Sequence, residues 1–403
     1  MNNIDYLLST SAIRERAAKL YDLTLRGEGQ FNLHLEKLDE VADKVIAVIN
    51  EKYPQWDIPY HSRWGHFKIG GKDRVFDLLK HMQHASTKDK VRALFDLVII
   101  SVLLDAGAGA LWQYRDQDGD HYSRSEGLAV ASFEMFVQGK FSSDPAAYPW
   151  RVDHEALLGI TPEKIAEAFQ VSAQNPLHGV EGRAALLVQL GRTLQNADNK
   201  YFGSALHRPG LLVDYLLKEV REDKITASQI LDAVLRSLGP IWPGRISLDG
   251  VNLGDTWRHA GLGEGDAGLI PFHKLSQWLT YSLLEPMEML GIKVEKLDEL
   301  TPLAEYRNGG LLIDGGLITA KDINATNKAW QPDSTLVIEW RALTIVLIDR
   351  LAELIRQKMN VTKETLPLAK ILEGGTWWTG RYLASEKRGG KPPIEIISDG
   401  TVF

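Results

Sequence analysis

The stretch LIPFHKLSQWLTYSLLEPMEML, Leu269 to Leu290, constrains how this chain folds more than any other. It is long and apolar enough for a helix buried on most sides. Yet His273, Gln277, Tyr281 and Glu285 recur along it at every fourth position. Steps of four drift by about 40° on a 3.6-residue helix, so these side chains share one broad face. Lys274, Trp278 and Ser282 form a second row beside them, and Leu275, Leu279 and Leu283 take the opposite side. A core helix carries His, Lys, Gln, Tyr and Glu on one stripe only where something satisfies them. The alternative is the solvated face of an ordinary surface helix. Trp278 and Tyr281 suit a wet face poorly, and Pro271 and Phe272 open the helix in an apolar context. The stripe therefore reads as one wall of a polar pocket. Pro286 removes a backbone donor and bends the helix, which turns Glu285 inward.

Helical spacing recurs along the rest of the chain. It predicts helices over about 11–25, 35–49, 75–82, 88–104, 124–139, 182–194, 211–220, 227–238, 334–358 and 362–372, and another starting at Thr161 and Pro162. Strand patterns are few. LLIDGGLIT, residues 311–319, reads as a hairpin turning at Asp314, Gly315 and Gly316, and the tail PIEIISDGTVF as one more strand. Residues 56–74 read as a loop or short hairpin, and 239–268 as irregular. Strands do not alternate with helices, which excludes a doubly wound sheet. There is no internal repeat and no long polar linker. The expectation is a mainly α protein, one single-core multi-helical domain over 1–403 with a few small β-hairpins.

Composition narrows the partners. Lys plus Arg number 46 against 53 Asp plus Glu, a formal net charge of -7 with no basic block, which argues against nucleic acid. The absence of cysteine excludes disulfides, thiolate catalysis and cysteine-ligated metals, and fits a reducing cytoplasm. MNNIDYLLSTSAIRERAAK lacks a signal-peptide pattern, and the most apolar run, LVIISVLL, is too short to span a bilayer. A cytoplasmic protein with no membrane partner is expected.

No phosphate loop, dinucleotide fingerprint, HExxH or nucleophile elbow is present. DAGAG, from Asp105, follows a helix rather than a strand, so it is not a Rossmann cradle. HSRWGHF brings His61, Arg63, Trp64 and His66 together; five-residue histidine spacing suits a metal poorly, whereas a guanidinium suits an anion. LTPLAEYRNGG offers Glu305, Tyr306, Arg307 and Asn308 ahead of two glycines, either as a ligand loop or as turn chemistry. Glu339 and Arg341 sit in the apolar run VIEWRALTIVLIDRL. Charges there are paired with other segments or face a cavity, with Arg307, Glu285 or a ligand as partners, or form a structural ion pair between helices. Ser125 and Glu126 suit a helix start, and EGGTWWTGR suits a lid or a helix end.

Taken together, PYHSRWGHF, LLDAGAG, RSEGLAVAS, NPLHGVEGRAALL, GDTWRHA, PFHKLSQWLTYSLLEP, LTPLAEYRNGGLLID, EWRALTIVLIDRLA, LEGGTWWTGR and SDGTVF resemble the fungal and bacterial uracil-catabolism protein 4 family. Gly65 departs from that pattern, where a larger, often basic residue is expected, and this removes one anion contact. The resemblance implies a place in a uracil-degradation route in which uracil becomes a nucleotide, the ring opens and urea is released. It does not supply catalytic residues.

The expected activity is hydrolysis of an N-glycosidic bond in a ribosylurea or uridine-nucleotide-like small molecule. That reaction needs a carboxylate to support an oxocarbenium-like centre or activate water, donors for the leaving group and cations for a phosphate. The candidate carboxylates are Glu285, Glu305 and Asp105. Gln277, Tyr281 and Asn308 are the candidate donors, and Arg63, Lys274, Arg307 and Arg341 the cations. His61, His66, His273, Trp278, Tyr306 and Glu339 complete the expected substrate contacts, with no metal and no cofactor. An amidohydrolase acting on the ureido group, or a non-catalytic protein binding a pathway intermediate, are the alternatives.

Overall fold

The computed structural model describes residues 3–109, 111–196, 200–203, 206–243 and 245–397. It is mainly helical, with short strands paired two by two. The chain divides into two compact units. Among the described residues, one comprises those within 3–61, 245–277 and 296–397; the other comprises those within 62–243 and 278–295.

In the first unit the Thr335–Met359 helix packs against Thr10–Leu25 and Leu38–Lys52. Its first half is apolar on every side, and residues 336–345 are all buried. Glu339 and Arg341 lie inside that run, so both must be neutralised by protein groups. The Glu339 carboxylate accepts from the backbone N–H groups of Gln30 at 2.7 Å and Phe31 at 3.2 Å, and from the Thr24 hydroxyl at 2.9 Å. This close approach explains Gly29, where an added Cβ would lie within 2.8 Å of the Glu339 carboxyl. Arg341 forms a two-pronged ion pair with Asp255, at 2.8 and 2.7 Å. Arg341 is thus paired with another segment, the bend at Asp255 rather than Arg307, Glu285 or a neighbouring helix, and Glu339 is met by backbone and hydroxyl donors instead of an ion pair.

The stretch 311–319 is not a hairpin. Residues Tyr306–Asp314 are helical, and the strand Ile318–Ala320 pairs instead with Phe31–Leu33. Two features override the strand pattern. Glu305 caps the helix, and its glycines allow close packing, since a Cβ on Gly309 would lie 2.8 Å from the Trp340 ring. Gly316, at φ 76°, lets the chain leave the helix. The expected helix over 362–372 shrinks to Leu368–Ile371 behind Pro367, and a π-helical turn over Leu372–Thr376 follows. Of the tail, Glu395–Ile396 pairs with Ala329–Trp330, and 398–403 lie outside the described residues.

The second unit is built on Thr87–Leu103, buried along most of its length, with Arg124–Val137 against it. Asp96, fully buried within the first of these helices, accepts from Arg208 and from the N–H of Val152 at 3.1 Å. Residues 56–74 contain the short helix Trp64–Phe67 and a tight turn at Ile69–Gly71. Within the first unit, the irregular stretch before Leu269 forms the hairpin Ser247–Asn252 and the strand Thr256–Arg258, which pairs with Leu269–Pro271. No helix among the described residues is long and apolar enough to cross a membrane.

The Asp255–Arg341 pair gives a measurable consequence. Burial pushes the Asp255 carboxyl up, but Arg341 and the donors of Lys274 and Trp257 outweigh it and hold it below the ordinary carboxylate range. A depressed folded pKa means that stability from this pair is complete above about pH 4 and drains away as the pH falls below it. Replacing Arg341 by Ala leaves a desolvated carboxylate. The urea midpoint at pH 7 should fall by the equivalent of about 3–5 kcal/mol, with a weaker loss of stability on acidification than in the parent. An unchanged midpoint at pH 7 would contradict this assignment.

Candidate functional site

The helix bearing the polar stripe begins later than its sequence pattern suggests. Leu269–Pro271 is a strand, and the helix runs Lys274–Met289. His273 stands just ahead of it at φ 47°, and its Nε2 donates to the Leu7 carbonyl at 2.9 Å. Burial holds the His273 imidazole below its ordinary pKa, which suits a neutral ring donating to a carbonyl. Asp255 caps the helix from outside by accepting from the Lys274 N–H at 2.9 Å. From Phe272 to Leu284 every residue except Lys274 is buried, so the solvated-face alternative is excluded.

Gln277 is fully buried, and its Oε1 accepts from the Thr301 N–H at 3.3 Å. Thr301 opens a buried segment, 301–304, that runs into the Glu305 cap. Arg341 donates to the Ala304 carbonyl at 3.3 Å, and Asn308 donates to the Leu303 carbonyl at 3.4 Å. Glu305 itself is partly buried. Its two oxygens accept from the N–H groups of Arg307 and Asn308, both at 2.6 Å. Burial raises the Glu305 carboxyl pKa, against the pull of those two donors and of Lys274 and His61 nearby.

His61 reaches this neighbourhood through its partner. Its Nδ1 lies 2.7 Å from the Glu373 carboxylate, and its backbone N–H is held by the Ala369 carbonyl. Glu373 sits in the π-helical turn, a wide turn of the kind that frequently marks functional sites. Gly374 and Gly375 follow, where an added Cβ would strike Ile58 and Val45. Arg307 stacks on the Tyr306 ring at 4.9 Å and donates to the Gly390 carbonyl at 3.2 Å. Lys274, Glu305, Tyr306 and Glu373 are each partly exposed, beside fully buried Gln277, Asn308 and Thr376. The first unit thus carries charged and aromatic side chains with exposed tips together with amide and hydroxyl groups withdrawn from water.

The remaining sequence-predicted residues belong to the second unit. Arg63 is fully buried and uses its guanidinium within the protein. It donates to the Ser101 hydroxyl at 2.7 Å and to the Ser125 carbonyl at 3.2 Å, and pairs with Asp105 at 3.3 Å. Asp105 also accepts from the Ser125 hydroxyl at 2.6 Å. Trp278 covers the guanidinium at 5.5 Å, and His66 stands 5.8 Å from the Trp278 ring. The anion expected for Arg63 is therefore supplied by Asp105. Glu285 accepts from the Ser62 hydroxyl at 2.9 Å, and Tyr281 is fully buried. Pro286 cannot donate to the Ser282 carbonyl; Trp64 Nε1 does so instead, at 2.7 Å.

A cavity of about 570 Å³ opens elsewhere in this unit, between Lys72, Arg74, His81, Asp116, Glu134 and Trp150. None of the sequence-predicted residues lines it. Its charges are largely tied to one another, with Lys72 and Arg74 both on Asp116 at 2.6 and 3.1 Å, and we place the functional chemistry elsewhere.

Of the sequence-predicted residues, Glu305, Asn308, Gln277, Lys274 and His61 fall in the first unit, and Arg63, His66, Trp278, Tyr281, Glu285 and Asp105 in the second. Sequence reasoning treated Glu339, Arg341 and His273 as substrate contacts, whereas protein groups engage all three. Asp255 and Glu373 were not singled out as site residues. The carboxylate in GDTW and the EG GT break within a helical pattern were the available signals. Arg63 predicts a structural phenotype. Arg63→Met strands Asp105 in a largely buried position, and a loss of about 3 kcal/mol in chemical denaturation is expected. A parent-like midpoint would place that guanidinium in a ligand-binding role instead.

A family described as a protein of unknown function, DUF1688, matches residues 6–403. Uracil catabolism protein 4 of Lachancea kluyveri is 38% identical over 442 positions, covering 100% of this chain and 99% of its own length. Protein urg3 of Schizosaccharomyces pombe is 40% identical over 410 positions, covering 98% of each. Matched along almost its whole length, with the motifs quoted above running from end to end, the chain belongs to the DUF1688 family, together with its resemblance to uracil-catabolism protein 4.

Proposed function

We propose that this protein is an enzyme of uracil degradation that hydrolyses the N-glycosidic bond of a ribosylurea-type intermediate. Similarity to a protein named for uracil catabolism supports the pathway. The observation that carries the chemistry is Glu305, a carboxylate raised by burial, with Lys274 and His61 within electrostatic reach. A carboxylate poised above its ordinary range accepts a proton from water more readily than a solvated one.

In this reading water attacks the anomeric carbon as its bond to the ureido nitrogen breaks. Glu305 takes the water's proton and stabilises the positive charge that develops on the sugar. The ureido nitrogen takes up a proton and leaves as urea, so the water's two parts end on sugar and urea. His61 is the source of that second proton. Glu373 occupies its Nδ1, which leaves proton transfer to Nε2 and fixes the ring's orientation. Lys274 supplies positive charge for an anionic group on the substrate.

Incubation of the pure protein with phosphoribosylurea and with uridine monophosphate, with products read by mass spectrometry, tests this directly. Urea and ribose phosphate are expected from the first. Ammonia and carbon dioxide would assign a ureido amidohydrolase, and binding without turnover a non-catalytic protein. Glu305→Gln should lower turnover about 100-fold or more with folding retained. The acid limb of the parent's kcat/KM profile should lie above the ordinary glutamate value of about 4.3 and be missing from the residual activity of Glu305→Gln. An unchanged acid limb in that variant would remove Glu305 from the chemistry.

A further inference from the structure

Two fully buried amides of the first unit are each satisfied at one end only. Gln277 Oε1 accepts from the Thr301 N–H, and Gln277 Nε2 has no partner. Asn308 Nδ2 donates to the Leu303 carbonyl, and Asn308 Oδ1 has no partner. The backbone decides which way each amide points, because an N–H must meet the oxygen and a carbonyl must meet the nitrogen. What remains is one donor, Gln277 Nε2, and one acceptor, Asn308 Oδ1. Thr301 and Leu303 are two residues apart, so their Cα atoms are separated by at most about 7 Å. Buried polar atoms without partners are uncommon, and a donor and an acceptor anchored to one short segment call for a ligand carrying both.

We propose that Gln277 and Asn308 form a specificity pair that reads the amide-type edge of the substrate's ureido group, the C=O from Gln277 Nε2 and the terminal N–H by Asn308 Oδ1. The assignment rests on the ribosylurea reading above but concerns binding rather than bond cleavage. It gives Gln277 and Asn308 a positioning role: they hold the leaving group while Glu305 serves the sugar. It also explains why the polar stripe of this helix contains a neutral amide where the core surrounds it. A ring-closed uracil presents the same C=O and N–H edge, so the edge alone does not separate the two sources.

The test uses the full-length protein and uncleavable probes. A carbocyclic ribosylurea phosphate, with a methylene in place of the ring oxygen, keeps the complete ureido edge. Its acetamido analogue replaces the terminal NH2 by CH3, preserving shape, the C=O and the anomeric N–H while removing the terminal N–H. Calorimetric titration should show the acetamido probe binding about tenfold more weakly or worse. In Asn308→Ala the two probes should bind within about threefold of each other, because the acceptor that distinguished them is gone. Gln277→Met should weaken both probes, since both retain the carbonyl. Equal binding of the two probes to the parent protein overturns the proposal even if neither variant folds, as does failure of the urea probe to bind. Uridine monophosphate in the same titration assigns the source: binding tighter than the urea probe places the edge on the intact ring. If the edge dependence holds while phosphoribosylurea is not hydrolysed, the glycosidase reading fails and this one stands.

Discussion

Asp255 is the charge on which the first unit depends. Its carboxylate receives both prongs of Arg341, the indole N–H of Trp257 at 2.6 Å and the N–H of Lys274, while its carbonyl accepts from Phe272 at 2.9 Å. One residue therefore ties the long apolar helix, the strand at Thr256–Arg258 and the start of the polar helix. Arg341 in turn reaches the Ala304 carbonyl, one residue before Glu305. The position of the candidate carboxylate is set through that chain of contacts rather than by the apolar core alone. A buried guanidinium with a matched carboxylate adds little net stability compared with an apolar substitute, but it fixes register strongly, since a shift of one residue leaves a bare charge.

The fold class was legible because long helical repeats survive tertiary context. The Ala227–Leu238 helix starts at a capping box of Thr226 and Gln229, and Thr10–Leu25 starts at a Ser9 cap, both local signals. Where the reading failed, a distant partner decided the outcome. LLIDGG alternates like a hairpin, yet Glu305 caps a helix there and Arg388 holds Asp314 at its end. PFHK reads as helix, yet Pro271 pairs with Thr256 in a strand and Asp255 starts the helix three residues later. Arg388, Thr256 and Asp255 lie far in sequence from the signals they overrode, whereas Glu305 is a local cap.

The candidate site shows the same division. That Gln277, Glu305 and Asn308 are polar residues in apolar surroundings is visible in the sequence. Which of their atoms the protein uses is not, because the answer lies with Thr301, Leu303 and the helix start at Tyr306. Arg63 illustrates the opposite case. Its residue type and histidine neighbours point to an anion site, but Asp105 and Ser125 lie across from it once the chain has folded. A polar residue buried by sequence pattern is a functional candidate only after its backbone and side-chain partners have been counted.

The Glu305 environment combines two opposing demands on one carboxylate. As a helix cap it accepts two N–H groups at the positive end of the Tyr306–Asp314 helix, which favours the charged form. Burial favours the neutral form, and burial prevails. In the proposed reaction that balance suits the proton-accepting role given to Glu305. The amides of Gln277 and Asn308, with one end each fixed by the backbone, add no charge to that balance. The polar residues of the first unit thus separate into those that hold the frame, Asp255, Arg341 and Glu339, and those whose chemistry the frame leaves available, Glu305, Gln277 and Asn308.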